Sequence, residues 1–141
     1  MSAEHILVIE DDRLITALLQ SRLVTEGYRV TVAPSVAAAL AAASTEIPDL
    51  VVLDLSLRND DPFSGVCDGF AFLQFFRRSN PAIELLVIIH SVNNSPTVAA
   101  RAKSLGVCAV IVKGGGIGVL LSTIRTALDG RKSKPAAPAV V

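Results

Sequence analysis

Short runs of apolar residues recur along this chain, each followed by a segment whose apolar positions repeat with a helical period. That alternation restricts the fold more than any other feature. The runs are His5 to Ile9, Asp49 to Asp54, Leu85 to His90 and Ala109 to Val112. Continuous apolar runs this short describe strands covered on both faces, the pattern of a parallel sheet under helices. Tyr28 to Ala33 alternates instead, with Tyr28, Val30 and Val32 on one face, and reads as a half-covered edge strand.

The intervening segments carry helix signals. Leu14, Ile15, Leu18, Leu19 and Leu23 form one stripe between Arg13 and Glu26, and Gly27 stops it. Ser35 is the expected N-cap of an Ala-rich helix running to about Thr45, ahead of Pro48. Asp68 or Gly69 opens a third helix through Ser79, with Phe72, Phe75 and Phe76 as its buried anchors. Ser95 and Pro96 supply the cap and first position of a fourth, which ends near Leu105 and Gly106. A fifth is expected over roughly 118–128, with Gly130 as its stop. Five strands alternating with five helices, joined by right-handed crossovers, make an α/β fold with a doubly wound parallel sheet. Residues 1–130 form one domain, and the Pro/Ala-rich 131–141 reads as a flexible tail or linker.

Composition narrows the class. The 141 residues are 51% hydrophobic and 18% charged, which suits a fully covered core and argues against disorder. Thirteen basic residues balance thirteen acidic ones, so no global field favours nucleic acid. No apolar stretch approaches the roughly 20 residues of a membrane span. The opening residues run straight into a strand pattern and do not resemble a signal peptide. Cys67 and Cys108 lack CxxC spacing and clustered histidines, and read as free thiols. A soluble cytoplasmic domain is the expectation.

The chemistry lies at the strand ends. The first strand ends in Glu10-Asp11-Asp12, the third in Asp54, the fourth in Ser91 and the fifth in Lys113. In a parallel sheet these ends share one edge, and open α/β sheets bind ligands in the crevice outside it. Alone, Asp54 could be a turn cap, and a single Lys–Asp pair could be an ion pair without chemistry. Together the set describes a site. Clustered carboxylates with no His or Cys nearby suit a hard cation, Mg²⁺ or Mn²⁺, which also binds phosphate oxygens. A metal-bound carboxylate flanked by a hydroxyl and an ammonium is suited to accept a phosphoryl group.

With these residues in place, the chain resembles the receiver domain of two-component response regulators over roughly residues 4–129. The resemblance rests on Glu10 and Asp11, on Asp54, and on Ser91 and Lys113. It implies a flavodoxin-like sheet of order 2-1-3-4-5. It implies that Asp54 accepts a phosphoryl group from a histidine kinase or phosphotransfer protein. Asp11, Asp54 and the backbone carbonyl of Ser56 would hold Mg²⁺, with Glu10 assisting through water. Ser91 and Lys113 would bind the phosphoryl group, and output would pass to a protein partner through the fourth helix, fifth strand and fifth helix. Such a domain is no conventional enzyme, since it catalyses only its own phosphorylation and dephosphorylation. Direct contact with nucleic acid or membrane is not expected.

Four features depart from the family pattern. An insertion over 58–66 enlarges the loop after Asp54, Val110 replaces the usual switch aromatic, Gly114 replaces the usual proline, and Val92 is bulkier than the usual small residue. His90 reads as a packed strand-end residue. These departures keep a second reading open, a pseudo-receiver that signals without phosphate. A third, an aspartate-based phosphatase, is opposed by Ser56, which stands where such enzymes place a second Asp.

Overall fold

A computed structural model describes residues 3–57, 69–92 and 95–133. The 58–66 insertion, Cys67, Asp68 and residues 134–141 of the expected tail lie outside the described residues. Strands β1 (His5–Ile9), β2 (Arg29–Ala33), β3 (Leu50–Leu53), β4 (Leu86–Ser91) and β5 (Ala109–Val112) alternate with helices. The helices are α1 (Arg13–Thr25), α2 (Val36–Thr45), α3 (Gly69–Ser79), α4 (Pro96–Ser104) and α5 (Ile117–Ser133). All pairings are parallel, and the sheet order is β2-β1-β3-β4-β5. This is the flavodoxin-like doubly wound architecture. Among the described residues, no helix is long and apolar enough to cross a membrane.

The apolar runs are continuous because both faces of the sheet are covered. Leu7, Ile9, Val51, Leu53, Val87 and Ile89 pack with Ala39, Ala43, Phe72 and Phe76 on one face. Ile6, Val8, Leu50, Val52 and Ile88 pack with Leu19, Leu23, Leu120 and Ile124 on the other. Successive strand residues thus serve opposite cores. The caps are those expected from sequence: Ser35 Oγ accepts from Ala38 N at 3.1 Å, and Ser95 Oγ from Val98 N at 3.3 Å.

Three expectations are corrected. Leu14 and Leu18, assigned to the buried stripe of α1, are 84% and 52% exposed. On an open sheet α1 buries a single line, Ile15, Leu19 and Leu23, so the stripe is narrower than its leucines. Phe75 is 54% exposed, and the buried aromatics of α3 are Phe70, Phe72 and Phe76. Phe75 lies off the line those residues make and borders a surface groove with Leu40, Ala43 and Ile47 of α2 and its exit.

The third correction is at the chain's last helix, which continues through Gly130 to Ser133. An interior glycine costs about 1 kcal/mol in a helix. Here the Arg131 guanidinium donates to the Asp49 carbonyl at 3.1 Å and to Asp49 Oδ1 at 3.2 Å, tying the extra turn to the start of β3.

Candidate functional site

Ladder hydrogen bonds continue one residue beyond the strands and fix the site's backbone. Glu10 N donates to Ala33 O at 3.1 Å, Asp54 N to Ile9 O at 2.9 Å, and Lys113 N to Ser91 O at 2.9 Å. The two-residue period of a strand then sets the side chains. Glu10 continues the phase of Ile6 and Val8, Asp54 that of Leu50 and Val52, and Lys113 that of Ile111, all on the α1/α5 side. Three chemically distinct residues from three strands therefore converge.

Lys113 Nζ lies 2.7 Å from Glu10 Oε1 and 3.3 Å from Asp54 Oδ2. Ser56 N donates to Asp54 Oδ1 at 3.0 Å. Glu10 and Asp54 are only 3% and 4% exposed. One carboxylate oxygen each from Glu10, Asp11 and Asp54 falls within a 4.8 Å cluster. Among the described residues, no protein group donates a hydrogen bond to the buried Glu10 Oε2. An orphaned buried carboxylate oxygen among further carboxylates is the donor set a hard cation satisfies, so these residues fit such an ion.

The charges are unevenly shared. Burial, reinforced by Asp54, pushes Glu10 up to about 8, against the opposing pull of Lys113. Burial also works to raise Asp54. The hydrogen bonds from Glu10, Ser56 N–H and Lys113, with the ammonium charge, outweigh it and hold Asp54 below its ordinary value. Without metal, then, the proton favours Glu10 and the negative charge favours Asp54. Lys113 is raised: burial lowers it, but Glu10 and Asp54 more than compensate.

A stability consequence follows from Glu10. Between 4.5 and about 8 the unfolded chain has lost this proton and the folded chain retains it. Stability without metal is therefore expected to decline as pH rises through that window and to level off above it. Thermal unfolding in the presence of a chelator measures this, and Glu10→Gln should flatten the slope. An unchanged slope in the variant would assign the decline to another group.

A crevice of about 630 Å³ opens over these groups, lined by Glu10, Asp11, Asp12, Arg13, Pro34, Asp54, Ser56, Val92 and Lys113. Glu10, Asp11, Asp54, Ser56 and Lys113 are thus brought together as the sequence suggests. Asp12 separates from the acidic triplet. Its Oδ1 accepts from Leu14 N at 2.9 Å and Ile15 N at 3.3 Å, capping α1. Ser91 stands beside Lys113 at the end of β4 but is fully buried, and Val92 takes the crevice wall in its place. Its strand phase explains this: Ser91 continues Val87 and Ile89, toward the other face.

His90 shares the phase of the site and is half-buried. Burial, then the Lys113 charge, lowers its pKa, with Asp54 opposing. Val110 packs with Val98, Leu105 and Val107 against the α3/α4 core. Gly114 and Gly116 adopt φ of +97° and +87°, a left-handed backbone that suits glycine after Lys113.

Two residues of the site carry no obvious motif signal. Arg13 lines the crevice mouth. Gly69, the first residue of α3, presses its backbone on β3: a Cβ there would lie 2.4 Å from the Asp54 carbonyl oxygen. The Asp-Gly step marks the helix start in the sequence, but not this contact.

Comparison with known proteins agrees with the geometry. The family model of the response regulator receiver domain matches residues 6–125. The KDP operon transcriptional regulatory protein KdpE of Escherichia coli is 31% identical over 134 residues, covering 95% of this chain and 55% of the relative. The transcriptional regulatory protein GlrR of the same organism is 33% identical over 132 residues, covering 94% and 27%. The chain thus spans about half the length, or less, of these curated relatives. Among solved structures, a CheY-like receiver domain protein from Methanospirillum hungatei superposes with a TM-score of 0.82 at 24% identity, over 95% of this chain and all of that one. NtrX from Brucella abortus gives 0.76 at 30% identity, over 92% of this chain and 27% of its own. Five parallel strands in this order, an acidic crevice at their carboxyl ends and a family match over most of the length agree: the chain belongs to the response regulator receiver domain family of two-component systems.

Proposed function

We propose that Asp54 accepts a phosphoryl group from a phosphohistidine on a histidine kinase or phosphotransfer protein, and that the domain then signals by protein contact. The observation that carries this reading is the Lys113 ammonium set between Glu10 and Asp54, with Asp54 ionised at the floor of a crevice. An Asp54 oxygen attacks phosphorus as the bond to the donor's imidazole nitrogen breaks, and the imidazole leaves. Asp11, Asp54 and the Ser56 backbone carbonyl would hold Mg²⁺, or Mn²⁺ in its place, with Glu10 assisting through water. When bound, the cation supplies charge neutralisation for the phosphoryl oxygens. Lys113 passes from the carboxylates to the transferred group. Ser91, buried at the end of β4, reaches that group only after a local rearrangement. Output passes through the α4–β5–α5 face to a protein partner, with no direct contact to nucleic acid or membrane. A cytoplasmic location suits such a donor.

The test is incubation with Mg²⁺ and acetyl phosphate, followed by intact-mass measurement. Wild type is expected to gain one phosphoryl group and Asp54→Asn none. No gain on the wild type, where a proven receiver is labelled alongside, would sink the phosphoacceptor reading.

That outcome would favour the pseudo-receiver. Its supporting observations are the buried Ser91 and the packing of Val110, which leaves no aromatic to move at that position.

A further inference from the structure

Arg13 is the first residue of α1, an exposed cation at a helix N-terminus. The free N–H groups and the positive end of the helix dipole disfavour a cation there. The first turn of α1 contains no acidic residue, and Asp12 Oδ1 is spent on the Leu14 and Ile15 amides. Among the described residues, no carboxylate forms a salt bridge with the Arg13 guanidinium. A local conflict of this kind at a site marks a functional compromise.

The crevice explains what could resolve it. Its floor is acidic, with Glu10, Asp11 and Asp54, while every phosphoryl donor is an anion. Among the described residues that line it, the cations are Lys113 and Arg13. Lys113 is engaged by Glu10 and Asp54. Arg13 lines the crevice with no salt-bridge partner among the described residues, and a guanidinium fork matches phosphoryl oxygens.

We infer that Arg13 is a phosphodonor-binding residue: it engages the phosphoryl oxygens of an incoming anionic donor at the crevice mouth before transfer to Asp54. This rests on the phosphoacceptor reading above and adds the residue that admits the donor.

The test follows the initial rate of acetyl phosphate labelling of the full chain at saturating Mg²⁺, over a series of salt concentrations. Wild type, Arg13→Ala, Arg13→Glu and Arg13→Lys are compared. At low salt Arg13→Ala should be slower by roughly 5-fold and Arg13→Glu slower still, with Arg13→Lys recovering much of the rate. The loss should appear in the donor concentration dependence rather than in the maximal rate, and should shrink as salt rises. Arg13→Ala should melt no lower than wild type, because the disfavoured cation is gone from the helix start. Equal labelling of all four proteins at low salt would overturn the inference and leave the phosphoacceptor reading standing. So would a loss independent of salt. Absence of label on the wild type itself would overturn both.

Discussion

Exchanging Lys113 for methionine is expected to slow phosphoryl transfer to Asp54 by roughly 10²-fold, the usual penalty for removing one preorganised donor from a developing charge. The ammonium spans Glu10 Oε1 and Asp54 Oδ2 at 2.7 and 3.3 Å and is itself only 14% exposed. Its loss removes the cation that, among the described residues, pairs with the buried carboxylates, so Glu10 should hold its proton to still higher pH rather than stand ionised and unpaired. Without the competing ammonium, Mg²⁺ should bind the site more tightly. Labelling rates together with a calorimetric Mg²⁺ titration read both effects. Wild-type labelling by the methionine variant would remove Lys113 from the transfer step, whatever happened to the metal affinity.

The second large effect is expected where no charge is involved. A Cβ on Gly69 would meet the Asp54 carbonyl oxygen at 2.4 Å and Leu53 Cδ1 at 2.8 Å, and a backbone oxygen cannot swing aside. Overpacking of this kind costs about 1–3 kcal/mol, occasionally more. Alanine would regain up to about 1 kcal/mol of helix propensity. The clash wins, and Gly69→Ala should lower stability by about 2 kcal/mol, or roughly 5–10 °C in melting temperature. Because the displaced atoms include the acceptor's own carbonyl, labelling of Asp54 should fall as well. Gly130→Ala is the control. It sits inside α5 with nothing within 4 Å of its Cβ, so the same exchange should raise stability by about 0.5–1 kcal/mol. A Gly69→Ala protein as stable as wild type would mean that α3 can lift off β3 at little cost.

Much of this was legible from sequence because the strands are buried on both faces and say so in their composition. Their ends then identify Glu10, Asp54, Ser91 and Lys113 without reference to any contact. What was not legible is direction. Leucines at 14 and 18 and a phenylalanine at 75 look like core, yet a helix on an open sheet buries only one line of residues. Ser91 and Lys113 look equivalent as strand ends, yet their opposite phase sends one into the core and the other over Asp54. Gly130 looks like a helix stop because the partner that overrides it, Asp49, is 82 residues away when paired with Arg131. Long-range pairs of this kind leave no periodic trace. The neutral composition likewise conceals the acidic floor and the cationic mouth of one crevice.

Strand β3 is held at both ends. Asp49 receives Arg131 and the His5 amide at one end, while Asp54 is bonded to Ile9, Ser56 and Lys113 at the other, with Leu50–Leu53 sealed between. A strand clamped in this way is expected to keep its place if a charge arrives at its tip. On the phosphoacceptor reading proposed above, it would serve as the anvil of the domain, and a displacement beginning at Asp54 would pass outward to the glycine turn after Lys113 and to the end of β4.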